Sequence, residues 1–488
     1  MYEYRKGYID SASFKNKTNN CAISFPCIYP VCPISIDHAR MYVIGDVYTR
    51  YYRAYNKKVI FPIGFHYSGL TAHKFHAALN SKEENDTKRV FREIYQCHPH
   101  VTNYLKQSPY NILDYFAFVT LQDFKKINVS ADYEEYYTTN SPQYDRFVLT
   151  FFEAYETKKV LIKNENNIQL DYSNRGWRNK MISWSEEVST IRKQEKIGLL
   201  NSANDLKNGW NILKTEGYGV KWRDGGIIDS MHDSELLSLY DIVNHVSKNG
   251  YEFTDRDMEI LFNVLSGSSS TNIPSGVTRV LSWLPTSLLI MEEHLKVWFI
   301  KKLYTESLLF SPCYRTKNFF VLGLGMKNGK RMSSSQGTAV LLQDLISQND
   351  PIPARMIILM SGGHPSSFYN YDDSIPTQIN KLFLSFKHFI SHSLIELLSA
   401  NELVLNDLLK DSSVEDVLSR LETKEELLLI FNRLEKYIVE GYLKQCLIEL
   451  MTILPKTYKK YMLKDRQLLL FIINFYMKIL LGVTLIEL

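Results

Sequence analysis

The sequence predicts an α/β fold with a parallel sheet, joined to an all-helical module. Three observations carry this. Residues 21–26 form a short apolar strand-like run, a Pro- and Cys-rich loop follows, residues 36–55 have helical apolar spacing, and a second strand-like run occupies 59–62. Strand, loop, helix and strand in that order make a βαβ unit. Phe319-Phe320-Val321-Leu322 then reads as a further buried strand, with Lys327-Asn328-Gly329-Lys330 as the turn after it. From Ile352 onward the apolar spacing is helical almost throughout, enough for four or five helices.

Composition bounds the answer. The 488 residues are 45% hydrophobic and 23% charged, and 57 Lys+Arg against 53 Asp+Glu leave a net charge of +4. A polybasic coat protein and an acidic disordered chain are both excluded, and two to four domains are expected. Aromatics at 13%, including 32 Tyr, exclude low complexity. The first twenty residues contain no apolar segment of signal-peptide length. The most apolar stretch, 467–488, is broken by Asn474 and Lys478, so a buried helix is expected there and not a membrane anchor. Six cysteines lack paired spacing, which points to a reducing, cytoplasmic setting. Cys97-His98-Pro99-His100 has metal-binding residue types, but no second cluster completes a tetrahedral site, so no metal is expected.

Between the two strand-bearing halves, residues 71–175 read as mostly helical and polar, with an acidic-aromatic patch at 132–137. Residues 200–345 return to mixed helix and strand, interrupted by a Ser-rich loop at 266–271. No internal repeat is present. Loops at the C-terminal ends of parallel strands hold ligands in such folds, which draws attention to 26–35 and 64–69.

The order of several short motifs is more specific than any one of them. Tyr29-Pro30, Pro33 to Arg40, Val43 to Val47 and Phe61 to Gly69 together resemble the start of a class I aminoacyl-tRNA synthetase, closest to leucyl-tRNA synthetase of the archaeal and eukaryotic type. Residues 140–152 are similar to the segment before that family's editing insertion, and 169–177 to the segment after it. The two lie some twenty residues apart, so the resemblance implies a synthetase without its editing domain. Residues 210–219 and 227–234 resemble the second catalytic half. Gly329 to Gly337 sits where the mobile KMSKS loop belongs, and the helical remainder resembles the stem-contact and anticodon-binding region without the C-terminal extension. The organisation so implied is a first Rossmann half over 1–70, a helical connective insertion over 71–175, a second catalytic half over 176–345 and a helical bundle over 346–488.

The resemblance implies ATP with Mg as cofactor, and a leucine-like amino acid and tRNA as ligands. It assigns Ser35, His38, Lys330 and Arg331 to catalysis, and Ser35, Asp37, His38, Met332, Ser333 and Ser334 to the nucleotide. Tyr29, Phe65, His66 and Tyr240 are assigned to the amino acid. The motifs depart from the family in places. Ser35 and Asp37 stand where a His and a Gly are usual, and Asp37 brings a carboxylate towards a purine and a triphosphate. Such a like charge costs several kcal/mol unless paired. Alternatively, Asp37 caps the following helix. A second nucleotide element aligns with Ser287, Leu289 and His294, although 288–295 also reads as a plain amphipathic helix. Lys456, Lys459, Lys460, Lys301 and Lys302 are candidate RNA contacts, or solvated helix faces.

Three functions stay open: a live ligase, a synthetase-like protein that binds amino acid or aminoacyl-tRNA outside general translation, and a structural subunit. A leucine pocket rejects a missing methylene by only about 10–200-fold, so loss of editing favours the second. A protein partner that completes the helical region is a further expectation.

Overall fold

The computed structural model describes residues 19–488 except 165–166, 174–175, 177, 180–181, 184–196, 200, 204–210, 224, 269–271, 317, 333–337 and 401–410. Ser333 and Ser334 therefore lie outside the described residues. The structure matches the expected α/β class. Its central sheet has four parallel strands, in spatial order Asn318–Leu322, Ser287–Met291, Asn20–Ser24 and Lys58–Ile60. The strand-helix-strand unit is as read from the sequence, with Cys21 opposite Val59 and the helix Ile36–Ala54 between them.

Burial on both faces explains why these strands carry near-continuous apolar runs. Ile23, Leu289, Met291, Phe320 and Leu322 pack into a core shared with the first helix and the C-terminal helices. Their neighbours Ala22, Leu288, Ile290, Phe319 and Val321 face a second core built with 144–155 and 236–265. The alternation is the period-2 pattern of a strand buried between two layers. One expectation is corrected here. Residues 288–295 do not form an amphipathic helix: Ser287–Met291 is a central strand, followed by the 3-10 turn Glu292–Lys296 and the helix Trp298–Leu309. Four consecutive apolar residues, Leu288 to Met291, fit either periodicity, and here length and β-sheet burial decide.

The turn after the fourth strand is also as expected. Gly325–Lys327 pairs antiparallel with Lys330–Arg331 through Asn328 and Gly329, at φ 51 and 74, where an Asn-Gly pair is at home. The same strand pairs in parallel with Tyr369–Tyr371. The C-terminal region is helical, from Ile375–Ser399 to Leu463–Leu481. The last of these is largely buried, and among the described residues no helix is long and apolar enough to cross a membrane. Lys301 and Lys302 are corrected from surface cations to buried ones, at 1% and 0% exposure. Lys302 pairs with Glu306 and donates to Ser238 Oγ at 2.6 Å, so neither lysine can meet RNA.

Candidate functional site

Numbered along the chain, the sheet order is 4-3-1-2, so it reverses between Ser287–Met291 and Asn20–Ser24. Ligands in open α/β sheets bind outside the C-terminal strand ends at such a reversal. A cavity of about 580 Å³ opens there, lined by Tyr29, Ser35, Asp37, His38, Glu293 and Arg331 among others. That size is ordinary for a small-molecule site. Cys27 and Cys32 also line it, and burial pushes the Cys32 thiol up to about 11, which keeps it protonated near neutral pH.

The first helix begins at the mouth of this cavity. Ser35 is its N-cap, with Oγ accepting from the His38 backbone at 3.4 Å and lying 3.0 Å from His38 Nδ1. Asp37 does not cap the helix, which corrects the capping expectation. It is buried, and its two carboxylate oxygens accept from the Gly325 backbone N–H at 3.0 and 3.1 Å. Tyr369 donates its hydroxyl to the same carboxylate at 3.1 Å. Burial raises the Asp37 carboxyl above its ordinary range, opposed chiefly by the Gly325 hydrogen bond. The carboxylate is thus engaged with the Gly325 strand at the cavity wall.

Glu293 holds the other side of the mouth. It sits just past the end of strand Ser287–Met291, ion-paired with Arg331 and 3.9 Å from His38 Nε2. Three of the groups facing this space, His38, Arg331 and Glu293, therefore form one polar cluster around an ion pair. Met332 is buried beside Gly325, where an added Cβ would lie 2.5 Å from Met332 Cε and from the Tyr369 ring. Lys330 is exposed on the hairpin. His294 is turned inward, with Nδ1 accepting from the Met291 backbone at 3.1 Å, and burial lowers it to about 4. It is neutral near pH 7. Ser287 and Leu289 lie within the strand, buried, and neither lines the cavity.

The amino-acid assignments divide. Tyr29 lines the cavity, its hydroxyl accepting from the Ala72 backbone at 3.2 Å and its ring edge-on to His66 at 6.4 Å. His66 Nε2 lies 2.8 Å from Asp233 Oδ1, and Ser68 donates to Asp233 Oδ2 at 2.6 Å. Asp233 is wholly buried, so it orients an imidazole that is itself 12% exposed. Phe65, assigned with His66 to the amino acid, is core: it is fully buried on strand Gly64–Phe65 and does not line the cavity. Tyr240 lines a different cavity, with Tyr67, Tyr137 and Gln143.

Sequence reasoning missed Glu293, Gly325 and Tyr369, and placed Asp233 in the 227–234 motif without giving it a role. Only Glu293 had a local signal, since an acidic pair directly after an apolar strand falls at the ligand edge of the sheet. Cys97-His98-Pro99-His100 starts a helix with His98 at its N-cap. Among the described residues no group of three or more His, Cys, Asp or Glu is placed to hold a metal ion.

Methionyl-tRNA synthetase of Mycobacterium tuberculosis, solved with methionyl-adenylate, superposes on 95% of this chain and 91% of its own, with a TM-score of 0.66 at 12% identity. The fold is that of a class I aminoacyl-tRNA synthetase. A second structure of that synthetase, also with methionyl-adenylate, covers 95% and 92% with a TM-score of 0.64 at 12% identity. In sequence, the synthetase-like chain is 32% identical over 148 residues to leucine–tRNA ligase 2 of Sulfolobus acidocaldarius. It is 30% identical over 171 residues to leucine–tRNA ligase 2 of Sulfurisphaera tokodaii. These matches cover 30% and 34% of this chain, but only 15% and 17% of those ligases. No family model matches.

Proposed function

We propose that this class I synthetase-like protein works outside general translation, in specialised metabolism or regulation. It holds a leucine-like amino acid or an aminoacyl-tRNA in the cavity at the strand ends, and its capacity for ATP-dependent adenylation is weak. The observation that carries this reading is the Glu293 carboxylate, ion-paired with Arg331 and facing His38. Those two residues are among the ones the leucyl-tRNA synthetase resemblance assigns to catalysis and to the nucleotide. A polyphosphate approaching them meets a carboxylate already in place, and like charges brought together at a partly desolvated site are disfavoured. Tyr29 and the Asp233-oriented His66 remain available for the amino acid. Ser35, His38, Lys330, Arg331 and Met332 would hold a nucleotide if one binds, with Ser333 and Ser334 proposed from sequence alone.

A live ligase that charges tRNA or another acceptor is the second reading, and two observations favour it. Asp37 is engaged with Gly325 and Tyr369, so its carboxylate is compensated and does not stand free before a nucleotide. Glu293 also has the chemistry to hold Mg, which binds through one or two carboxylates and substrate phosphates. Exposed Lys456, Lys459 and Lys460 are proposed for salt-dependent tRNA contact. Amino-acid-dependent ATP–pyrophosphate exchange across an amino-acid panel decides between the readings. No exchange from folded protein, with amino-acid binding retained, is expected; exchange at ligase-like rates with one amino acid would overturn the first reading.

A further inference from the structure

The helix Ile375–Ser399 carries two exposed histidines, His388 and His392, far from the cavity at the strand ends. Residues four apart on a helix are neighbours on its surface, so the two imidazoles meet without help from another element. Their ring centroids lie 4.5 Å apart, with the planes at 85°. Among the described residues neither imidazole makes a hydrogen bond or an ion pair. A second histidine pair differs. His98 and His100 are two positions apart, stack at 5.2 Å, and His98 Nδ1 already accepts from the His100 backbone at 3.4 Å.

We infer that His388 and His392 chelate a divalent metal ion of the nickel and copper type. Imidazole nitrogens suit the late transition metals, whereas Mg and Ca take oxygen ligands. The ring spacing adds a geometry. With metal–nitrogen bonds of about 2.1 Å and a ring nitrogen about 1.15 Å from its ring centre, two imidazoles at a right angle about one metal have centres about 4.6 Å apart. At the tetrahedral angle usual for zinc, the same lengths put the centres about 5.3 Å apart. The observed 4.5 Å fits the right angle of square-planar and tetragonal sites, which are those of Cu(II) and Ni(II).

The chain supplies two donors and no more. Glu396 continues the same row, four residues beyond His392, but its carboxylate is paired with Arg466 at 2.5 Å. Exposed Lys387, beside His388, is a cation with no lone pair to give. The remaining coordination positions therefore belong to water, and the site is open, on the surface and reachable by metal from solution.

The test is calorimetric titration of the full chain with Ni(II), beside His388→Asn and His392→Asn, exposed substitutions that leave folding intact. A Ni(II) site is expected in the parent and should be at least about tenfold weaker in each variant, because the second bond of a chelate forms at high effective concentration. His98→Asn should leave it unchanged, and Mg(II) should show no such site. Ni(II) should also raise the urea midpoint of the parent more than that of either variant, since the metal joins two turns only while the helix is folded. Identical titrations and midpoint shifts for parent and variants, persistence of the site in one of them, its loss in His98→Asn, or equal binding of Mg(II) would each overturn the inference.

Discussion

The Asp37 carboxylate and the Gly325 backbone N–H are joined by hydrogen bonds of 3.0 and 3.1 Å between positions 288 residues apart. Around them, Tyr369 donates to the same carboxylate and Arg40 lies over the Tyr369 ring at 4.8 Å. Arg40 also donates to the Gly323 carbonyl at 3.3 Å. Together these contacts hold the start of the first helix against the strand that leads into the Lys330–Arg331 hairpin. A residue that reads in sequence as an intruder on a nucleotide is, in the folded chain, a tether between the two sides of the site.

The tether makes a stability prediction. Removing the carboxylate in Asp37→Ala leaves the Gly325 N–H and the Tyr369 hydroxyl without an acceptor. Orphaning a buried group costs about 1–3 kcal/mol. Asp37→Asn keeps one acceptor oxygen and should lose less. Denaturant unfolding of the two variants beside the parent chain checks this. An alanine variant as stable as the parent would show that the contact is structurally idle. Because the carboxylate is bound in place, Asp37→Gly is not expected to strengthen ATP binding by relieving a block.

Glu293 gives the opposite kind of prediction, one on binding. Its pair with Arg331 is partly solvent-exposed, at 28% and 62% of the two side chains. Such pairs are worth only about 0.2–1 kcal/mol. Glu293→Gln should therefore raise affinity for metal-free triphosphate by about 1.4- to fivefold, the same energy expressed as an equilibrium constant. The measurement is titration with ATP in the presence of a chelator. A fall in affinity confined to Mg-containing buffer would instead make Glu293 a ligand for the metal, and would favour the live-ligase reading.

The parts legible in the sequence were those whose cause is local. Helical spacing over 36–55 and 352 onward, and the Asn328-Gly329 turn, each follow from neighbours within a few positions. Ser287–Met291 is ambiguous in sequence because four apolar residues in a row satisfy two periodicities, and only pairing with Asn318–Leu322 and Asn20–Ser24 settles it. Lys302 reads as surface because an i,i+4 pair with Glu306 suits an exposed helix face equally well; what buries it lies far off in sequence, Ser238 being 64 positions away. Tyr29 and Tyr240 are both assigned to the amino acid by the resemblance, yet they line two different cavities. Side-chain identity showed the chemistry available, but not which side chains face each other across the sheet.

Asp241 ties stability to pH. It is buried, accepts from Ser24 at the end of the first strand and from Tyr137 at 2.7 Å, and burial raises its carboxyl to about 7. An unfolded aspartate titrates near 3.9. Between those values the folded chain binds a proton that the unfolded chain does not, so stability falls as pH rises from about 4 to 7 and levels off above. A shift of roughly three units corresponds to about 4 kcal/mol over that window. Asp241→Asn keeps the shape and one acceptor oxygen but cannot ionise, so its unfolding free energy, although lower at acid pH, should lack this decline. Urea unfolding of both proteins from pH 4.5 to 7.5 checks it, with the difference between them isolating Asp241 from other titrating groups. Parallel pH profiles would mean that Asp241 is ionised throughout and that Ser24 and Tyr137 stabilise its charge.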